Sequence, residues 1–331
     1  MMACSLPGNG LRKILVIIHN GLSNIEMLKT KCPICGSLED YTIIHKSNFA
    51  CSDINLDVFS ARRLPDLVHY QIVKCNNDGL ARSNPIYKDV IHEDLYKHSK
   101  FNYSDQTDNL TVTYLEVLDG IISYLSKETK ILEIGCGNGF VLKALLDRGY
   151  KNLCGIEPSQ DAVLKADGII KDRIMVDVLR EGLYKSESFD LIFLFQVFDH
   201  IQDPLGFLSI CYNLLSPGGS ILVMAHDIKS LSARVLGEKS PIIDIEHMYF
   251  YSKKTIKEVF VKAGFNPLKI YSPRNMVSFK YLIWLLPIPK KIKLKLLNSK
   301  GRFADFLLNQ RVRIRLGNLC IIARKADGSS K

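Results

Sequence analysis

The 331-residue chain lacks an apolar run long enough to cross a bilayer: the longest, Tyr281 to Pro289, falls well short of the roughly 20 residues a spanning helix needs. It also lacks a convincing leader. The ILVII at 14–18 is shorter than a signal-peptide core, and polar His19 and Asn20 follow it. There is no internal repeat and no low-complexity tract, so solenoid and linker architectures are excluded. The nine cysteines are odd in number and mostly scattered, which does not suit a secreted disulfide framework. These absences lead to the expectation of a reduced, cytoplasmic protein. The first 26 residues show little periodicity, so they are expected to form a tail before Met27.

An evenly spread charge excess is missing too. The formal charge is +10, yet eleven basic residues and a single acid, Asp305, lie between Ser272 and Leu316, and the remainder is neutral. A general nucleic-acid coat is therefore not what the composition describes. With 47% hydrophobic and 24% charged residues, the chain can bury a proper core.

What is present is a regular alternation. A helix is expected over 109–126, with Leu115, Val117, Leu118, Ile121, Ile122 and Leu125 on one stripe. Strands are expected at 130–135, 152–157, 173–177, 189–196 and 220–226, with helices at 139–148, 159–166 and 204–215 between them. Later come a helix at 253–264, a strand near 267–271 and a last strand from Asn318 to Arg324. Strands alternating with helices imply an α/β fold with a parallel sheet, and ligands bind such sheets beyond the C-terminal strand ends.

The first of these strands ends in Glu133-Ile-Gly135-Cys136-Gly137-Asn138-Gly139. Its spacing is GxGxG, not the GxGxxG of a dinucleotide fingerprint. Glu133, two residues before the first glycine, would repel a pyrophosphate and suit a cationic ligand. Glu157, followed by Pro158 and Ser159, ends the second strand, where a carboxylate can accept hydrogen bonds from a ribose diol.

In this order and spacing, ILEIGCGNGF, GIEPS, FDLIFLFQVFDHIQDP and LLSPGGSILV resemble the successive motifs of class I S-adenosylmethionine-dependent methyltransferases, over about residues 110–325. The resemblance implies a Rossmann-like seven-stranded sheet and S-adenosylmethionine as cofactor. It implies that Glu133 meets the methionine ammonium and that Gly135, Cys136, Gly137, Asn138 and Gly139 pass the methionine and ribose portions. Glu157 and Pro158 would hold the ribose, Asp177 and Val178 would lie at the adenine, and Gln196 and Val197 would flank the methionine.

Cys32-Pro-Ile-Cys35-Gly36 is a knuckle that points two thiolates at one metal, and Cys75 follows 39 residues after Cys35. Residues 27–85 resemble the zinc-ribbon-like segment, CPxCG then CxxCGL, that precedes many such methyltransferases. They depart from it at one position, where Asp78 stands for the fourth cysteine. Structural zinc on Cys32, Cys35, Cys75 and Asp78 is one reading. Cys51, His45 or His69 could complete a site instead, and a degenerate ribbon held by packing is the other reading.

The expected organisation is thus a tail over 1–26, a ribbon-like segment over 27–85, a linking helical region over 86–127 and a methyltransferase domain over 128–331, with a lid at 227–252 and a basic insertion at 272–316. His226 and His247 are the candidate bases and His200 a further candidate, set against structural readings in which His200 caps the helix or orders the loop, His226 is a satisfied strand-end histidine and His247 orients the lid, held by Asp244 or Glu246. In the lid, a short helix is expected over 230–237, and Arg234 and Lys239 could bind an anionic group or simply be solvated. In the insertion, KIKLKL can read as strand or helix, and RVRIRL as a strand with one cationic face. The insertion is expected to lie outside the methyl-donor site. It could be a packed extension or oligomer contact, a dock for an anionic membrane surface, or a contact for an anionic acceptor. Cys136 and Cys154 are expected to be inert. The favoured function is O-methylation of a small or carrier-linked molecule, such as a sugar or glycan intermediate. RNA methylation and a non-catalytic cofactor-binding assembly role are the alternatives.

Overall fold

The computed structural model describes residues 27–49, 68–87, 107–285, 290–297, 306, 308 and 310–326. The expected tail, Cys51 and residues 88–106 of the linking region lie outside these.

The chain enters through five short strands: β1 (Met27–Leu28), β2 (Tyr41–His45), β3 (Ile72–Cys75), β4 (Ala81–Ser83) and β5 (Ile86–Tyr87). The α/β part then follows. Its strands are β6 (Ile131–Ile134), β7 (Leu153–Ile156), β8 (Ile174–Met175), β9 (Phe189–Phe195) and β10 (Leu215–His226), with β11 (Tyr249–Phe250) and β12 (Phe265–Tyr271) after them. β13 (Asn275–Ser278), β14 (Arg311–Ile314) and β15 (Asn318–Lys325) complete the set.

Seven of these form one sheet in the order β12-β15-β10-β9-β6-β7-β8. β6 through β10 run parallel, and β15 is antiparallel to both of its neighbours. The inner strands β6 and β9 are almost wholly buried and mostly apolar because both faces are covered. On β9, Ile192 and Leu194 enter the core on one face, and Leu191, Phe193 and Phe195 enter the core on the other. Helices Pro204–Leu214 and Lys253–Lys262 cover the first face. Helices Thr107–Ile122 and Phe140–Asp147 cover the second. The order reverses at β6, between β7 and β9, which opens a crevice beyond the C-terminal strand ends.

The expected elements are present with shifted ends. The third strand shrinks to Ile174–Met175, and an unforeseen helix, Gly168–Lys171, precedes it, capped by the Asp167 side chain. The fifth strand starts early, at Leu215, and carries the Pro217-Gly218-Gly219 segment as an irregularity against β9.

Two arrangements were not expected. β11, from the end of the lid, adds itself to the N-terminal strands in a sheet of order β11-β4-β3-β2. The fully buried Arg82 on β4 pins this sheet, donating from Nε to the Thr30 carbonyl and from Nη2 towards the Ser37 and Leu38 carbonyls. In the basic insertion, β13 and β14 pair as an antiparallel ribbon, while Phe279–Leu285 and Lys290–Leu297 are helices. KIKLKL is therefore helical, and RVRI is a strand with exposed arginines. No described helix is long and apolar enough to cross a membrane.

Candidate functional site: one cavity with two chemistries

A cavity of about 1120 Å³ opens at the C-terminal ends of β6, β7, β9 and β10. One wall is the loop after β6. Gly135 has φ +70°, and a Cβ there would overlap Val197 Cγ2, so only glycine permits this turn beside the β9 end. Gly139 has φ +72° and caps helix Phe140–Asp147, and a Cβ there would meet Ile170 Cδ1 at 2.6 Å. These are the close approaches that the GxGxG spacing predicts.

Glu133 and Glu157 face this cavity, and both are buried. Glu157 is held from behind: Gly137 N–H donates to its Oε2 at 2.9 Å, and Ser159 N–H donates to its Oε1 at 2.9 Å. Burial pushes its carboxyl above the usual range, partly offset by those two donors. Glu133 is pushed up further, by burial and then by the charge of Glu157, and its Oε2 has no partner among the described residues. An unpartnered buried carboxylate in a ligand crevice calls for a cationic or donor group. Gln196, at a strained φ of +58°, also leaves its Oε1 without a partner. Among the other expected cofactor residues, Cys136, Pro158, Asp177, Val178 and Val197 line the cavity, whereas Asn138 and Gly139 do not. Asp177 also forms a paired contact with Arg180, at 2.6 Å for each hydrogen bond.

The opposite wall carries the histidines. His226 ends β10 and Asp199 lies just past the end of β9, so neighbouring parallel strands deliver them side by side. His226 Nδ1 is in a short contact with Asp199 Oδ2, and the His226 backbone N–H donates to the same oxygen at 3.2 Å. His247 Nε2 stands 3.9 Å from that oxygen, and His200 Nε2 stands 3.8 Å from Asp199 Oδ1. The His247 ring lies 4.7 Å from that of His226 and 4.8 Å from that of His200. Burial alone would raise the Asp199 carboxyl, but the charge and hydrogen bond of His226, then His247 and His200, hold it far below the usual range. Burial drives His247 down to about 3, against the pull of Asp199, so its ring is neutral. The sequence reading proposed the three histidines without their shared centre. The signal for Asp199 was its place beside His200 at the end of the fourth strand.

Residues 110–270 match the model of a family described as a methyltransferase domain. That stretch is a methyltransferase domain. Among curated proteins it is similar to the tRNA U34 carboxymethyltransferase of Vibrio vulnificus (strain YJ016), 27% identical over 161 residues, covering 46% of this chain and 50% of the relative. The enzyme of that name from Aliivibrio salmonicida (strain LFI1238) is 29% identical over 161 residues with the same coverage. The chain spans about half the length of the curated relatives it matches. Among solved structures it is similar to a chain from a complex of the Haloferax volcanii Trm112 methyltransferase activator with a methyltransferase. That match has a TM-score of 0.49 and 19% identity, covering 69% of this chain and 94% of that one.

Two further parts of the chain bear on the cavity. Asn275, Met276, Val277, Tyr281, Leu282 and Leu316 line it, so the basic insertion reaches the site it was expected to lie outside. The insertion's arginines are also partly neutralised: Arg313 donates to Glu116 at 2.6 Å, and Arg311 lies 3.8 Å from Asp108. In the lid, Ser232, Leu236 and Ser240 line the cavity, while exposed Arg234 and Lys239 do not, so neither is placed to bind an acceptor there. Burial raises the thiols of Cys136 and Cys154, which keeps them protonated and poorly nucleophilic.

Ahead of the methyltransferase domain, the structure brings Cys32, Cys35, Cys75 and Asp78 together, with their donor atoms within 4.8 Å of one another. Asp78 Oδ2 is 3.0 Å from Cys32 Sγ and 3.2 Å from Cys75 Sγ, and Cys35 Sγ is 3.5 Å from Cys75 Sγ. His69 is turned elsewhere, its Nε2 3.1 Å from Glu238 of the lid, and His45 Nδ1 is 3.8 Å from the same carboxylate. The donor set that converges is therefore three thiols and a carboxylate.

Proposed function

We propose that this chain transfers the methyl group of S-adenosylmethionine to an acceptor held against His226 and His247. The observation that supports this most is that one cavity joins the Glu133–glycine–Glu157 wall to His200, His226 and His247. The residues suit the cofactor: Glu133 presents a partnerless carboxylate for its ammonium, and Glu157 offers its remaining lone pairs to a ribose diol. Asp177 and Val178 would border the adenine, with Gln196 and Val197 beside the methionine portion. When bound, the cofactor supplies an electrophilic methyl group on a sulfonium. The protein's own part is alignment, exclusion of water and activation of the acceptor. His226→Ala is expected to lower turnover about 10²-fold, the scale of a lost acid–base group, with cofactor affinity retained.

For the acceptor, the relatives named for tRNA support RNA over the small molecule or sugar that the sequence suggested. A base extruded from its strand could enter the cavity while phosphates met Arg315, which is exposed just past β14. The inner wall, with Asp244 and Glu246 beside the histidines, suits a neutral acceptor group more than a phosphate. Methyl-labelled S-adenosylmethionine incubated with the full chain and either bulk tRNA or soluble sugars separates these acceptors. Label is expected in the tRNA. Label in sugars alone would return the acceptor to the small-molecule class. Label in neither, with the cofactor still bound, would leave a binding role without turnover.

For the N-terminal segment, Cys32, Cys35, Cys75 and Asp78 would hold a structural zinc ion. The convergence of four donors supports this, because burial otherwise raises the Cys32 and Cys75 thiols and a cation reverses that.

A further inference from the structure

We infer that Asp199, His226 and His247 form a second metal site, for a divalent cation that binds and activates the acceptor oxygen. This rests on the cavity being the transfer site and deepens that reading by naming the activating group. Asp199 Oδ2, His226 Nδ1 and His247 Nε2 can all be chosen within 4.8 Å of one another.

The hydrogen bonding calls for a cation at this point. His247 Nδ1 lies 2.7 Å from the Ile242 carbonyl oxygen. A carbonyl only accepts, so Nδ1 carries the proton, and Nε2 of the neutral ring presents a lone pair. That lone pair faces Asp199 Oδ2 across 3.9 Å. Two acceptors thus face each other with no proton of their own between them. A backbone carbonyl that fixes the tautomer from behind is the support a metal-binding imidazole receives. The second Asp199 oxygen adds to this: the residue is only 1% exposed, yet Oδ1 has no hydrogen-bond partner among the described residues. A buried carboxylate oxygen left without a donor is destabilising unless a cation or a donor joins it.

The donor chemistry narrows the cation. Two imidazole nitrogens and one carboxylate oxygen, without sulfur, suit Mn²⁺, Fe²⁺, Co²⁺ or Zn²⁺. The thiol-rich cluster around Cys32 selects differently, so the two sites are separable. Ligand atoms around a tetrahedral ion lie about 3.4 Å apart for bonds near 2.1 Å. His247 would therefore move in slightly, and His226 and Asp199 would part as the cation took the place of the proton between them. Both histidines line the cavity, which leaves coordination positions open towards the acceptor. One carboxylate against two positive charges leaves one charge to be met by an acceptor oxyanion.

The step balances. The cation-bound acceptor hydroxyl releases its proton to solvent. An oxygen lone pair forms the new bond to the methyl carbon. The breaking carbon–sulfur bond returns its electrons to sulfur, which changes from sulfonium to neutral thioether.

The test uses Mn²⁺, which favours oxygen and nitrogen over thiolate. The full chain, given one equivalent of Zn²⁺ to fill the thiol cluster and then freed of unbound metal, is titrated with Mn²⁺ and free Mn²⁺ is read by electron paramagnetic resonance. One bound Mn²⁺ per chain is expected. Asp199→Asn and His247→Gln should each weaken it by about tenfold or more, and Cys35→Ser should not. Cofactor binding to every variant, measured by calorimetry, reports that the cavity is still folded. Absence of Mn²⁺ binding in a chain that binds S-adenosylmethionine, or binding that survives both cavity variants, would overturn the inference and leave a metal-free His–Asp pair. Absence of cofactor binding in the unaltered chain would instead defeat the methyltransferase reading itself.

Discussion

Glu133 is the residue whose state depends most on what lies beside it. It is buried, partnerless at Oε2 and pushed up by its surroundings and by Glu157. A cationic ligand needs it ionised, so protonation opposes binding. S-adenosylmethionine affinity should therefore fall as the pH drops through the raised pKa of Glu133, and Glu133→Gln should be weaker and flatter with pH. Calorimetric titration across the pH range checks this; a Gln variant with unchanged affinity and slope would remove Glu133 from the ligand. Gly135 tests the loop in another way. Gly135→Ala forces a Cβ into Val197 at a positive φ, at a cost of about 1–3 kcal/mol. Adding Val197→Ala should restore the part due to overlap and leave the part due to φ. Thermal unfolding of the two variants separates these contributions.

At the scale of elements, the joining of the lid to the N-terminal sheet matters most. Ser83 on β4 donates its hydroxyl to the His247 carbonyl at 2.8 Å, and its N–H donates to the Met248 carbonyl at 2.9 Å. Met248 N–H in turn donates to the Asp199 carbonyl at 2.7 Å. Three separate parts of the chain thus converge on the backbone of the histidine cluster. Ser83→Ala leaves a buried carbonyl without that donor and should cost about 1–3 kcal/mol. It should lower kcat more than it weakens cofactor binding, since Glu133 and Glu157 sit on the other wall. Steady-state kinetics alongside calorimetry would show the split, and equal losses in both would mean general loosening instead.

For the molecule as a whole, the N-terminal segment is part of the main core. Cys32, Tyr70, Cys75 and Leu80 pack in the same cluster as Phe260 and Val259 of helix Lys253–Lys262. Loss of metal at the cysteines should then be felt across the chain. Exhaustive chelation should lower the melting temperature and release the zinc ion held by the cysteines. Metal analysis of protein purified without chelator, with melting curves before and after zinc is returned, provides the check. A chain that carries no zinc and melts identically with and without it would be a ribbon held by packing alone.

The sequence by itself determined the α/β alternation, the GxGxG turn, the two strand-end carboxylates and the knuckle of Cys32 and Cys35. Each of these is written in local terms: apolar period, glycine spacing, or residues within a few positions of one another. Strand ends were less legible, as at Ile174–Met175, because only two residues there pair with β7 and periodicity cannot resolve so short a strand. Only the tertiary structure decided that Asp199 is the centre of three histidines, that β11 completes the N-terminal sheet and that the insertion lines the cavity. Asp199 meets His226 because β9 and β10 are neighbours in the sheet, and it meets His247 because Ser83, 164 positions away in the chain, fixes the lid. Such contacts depend on strand order and packing between distant segments, which no local pattern in the chain encodes.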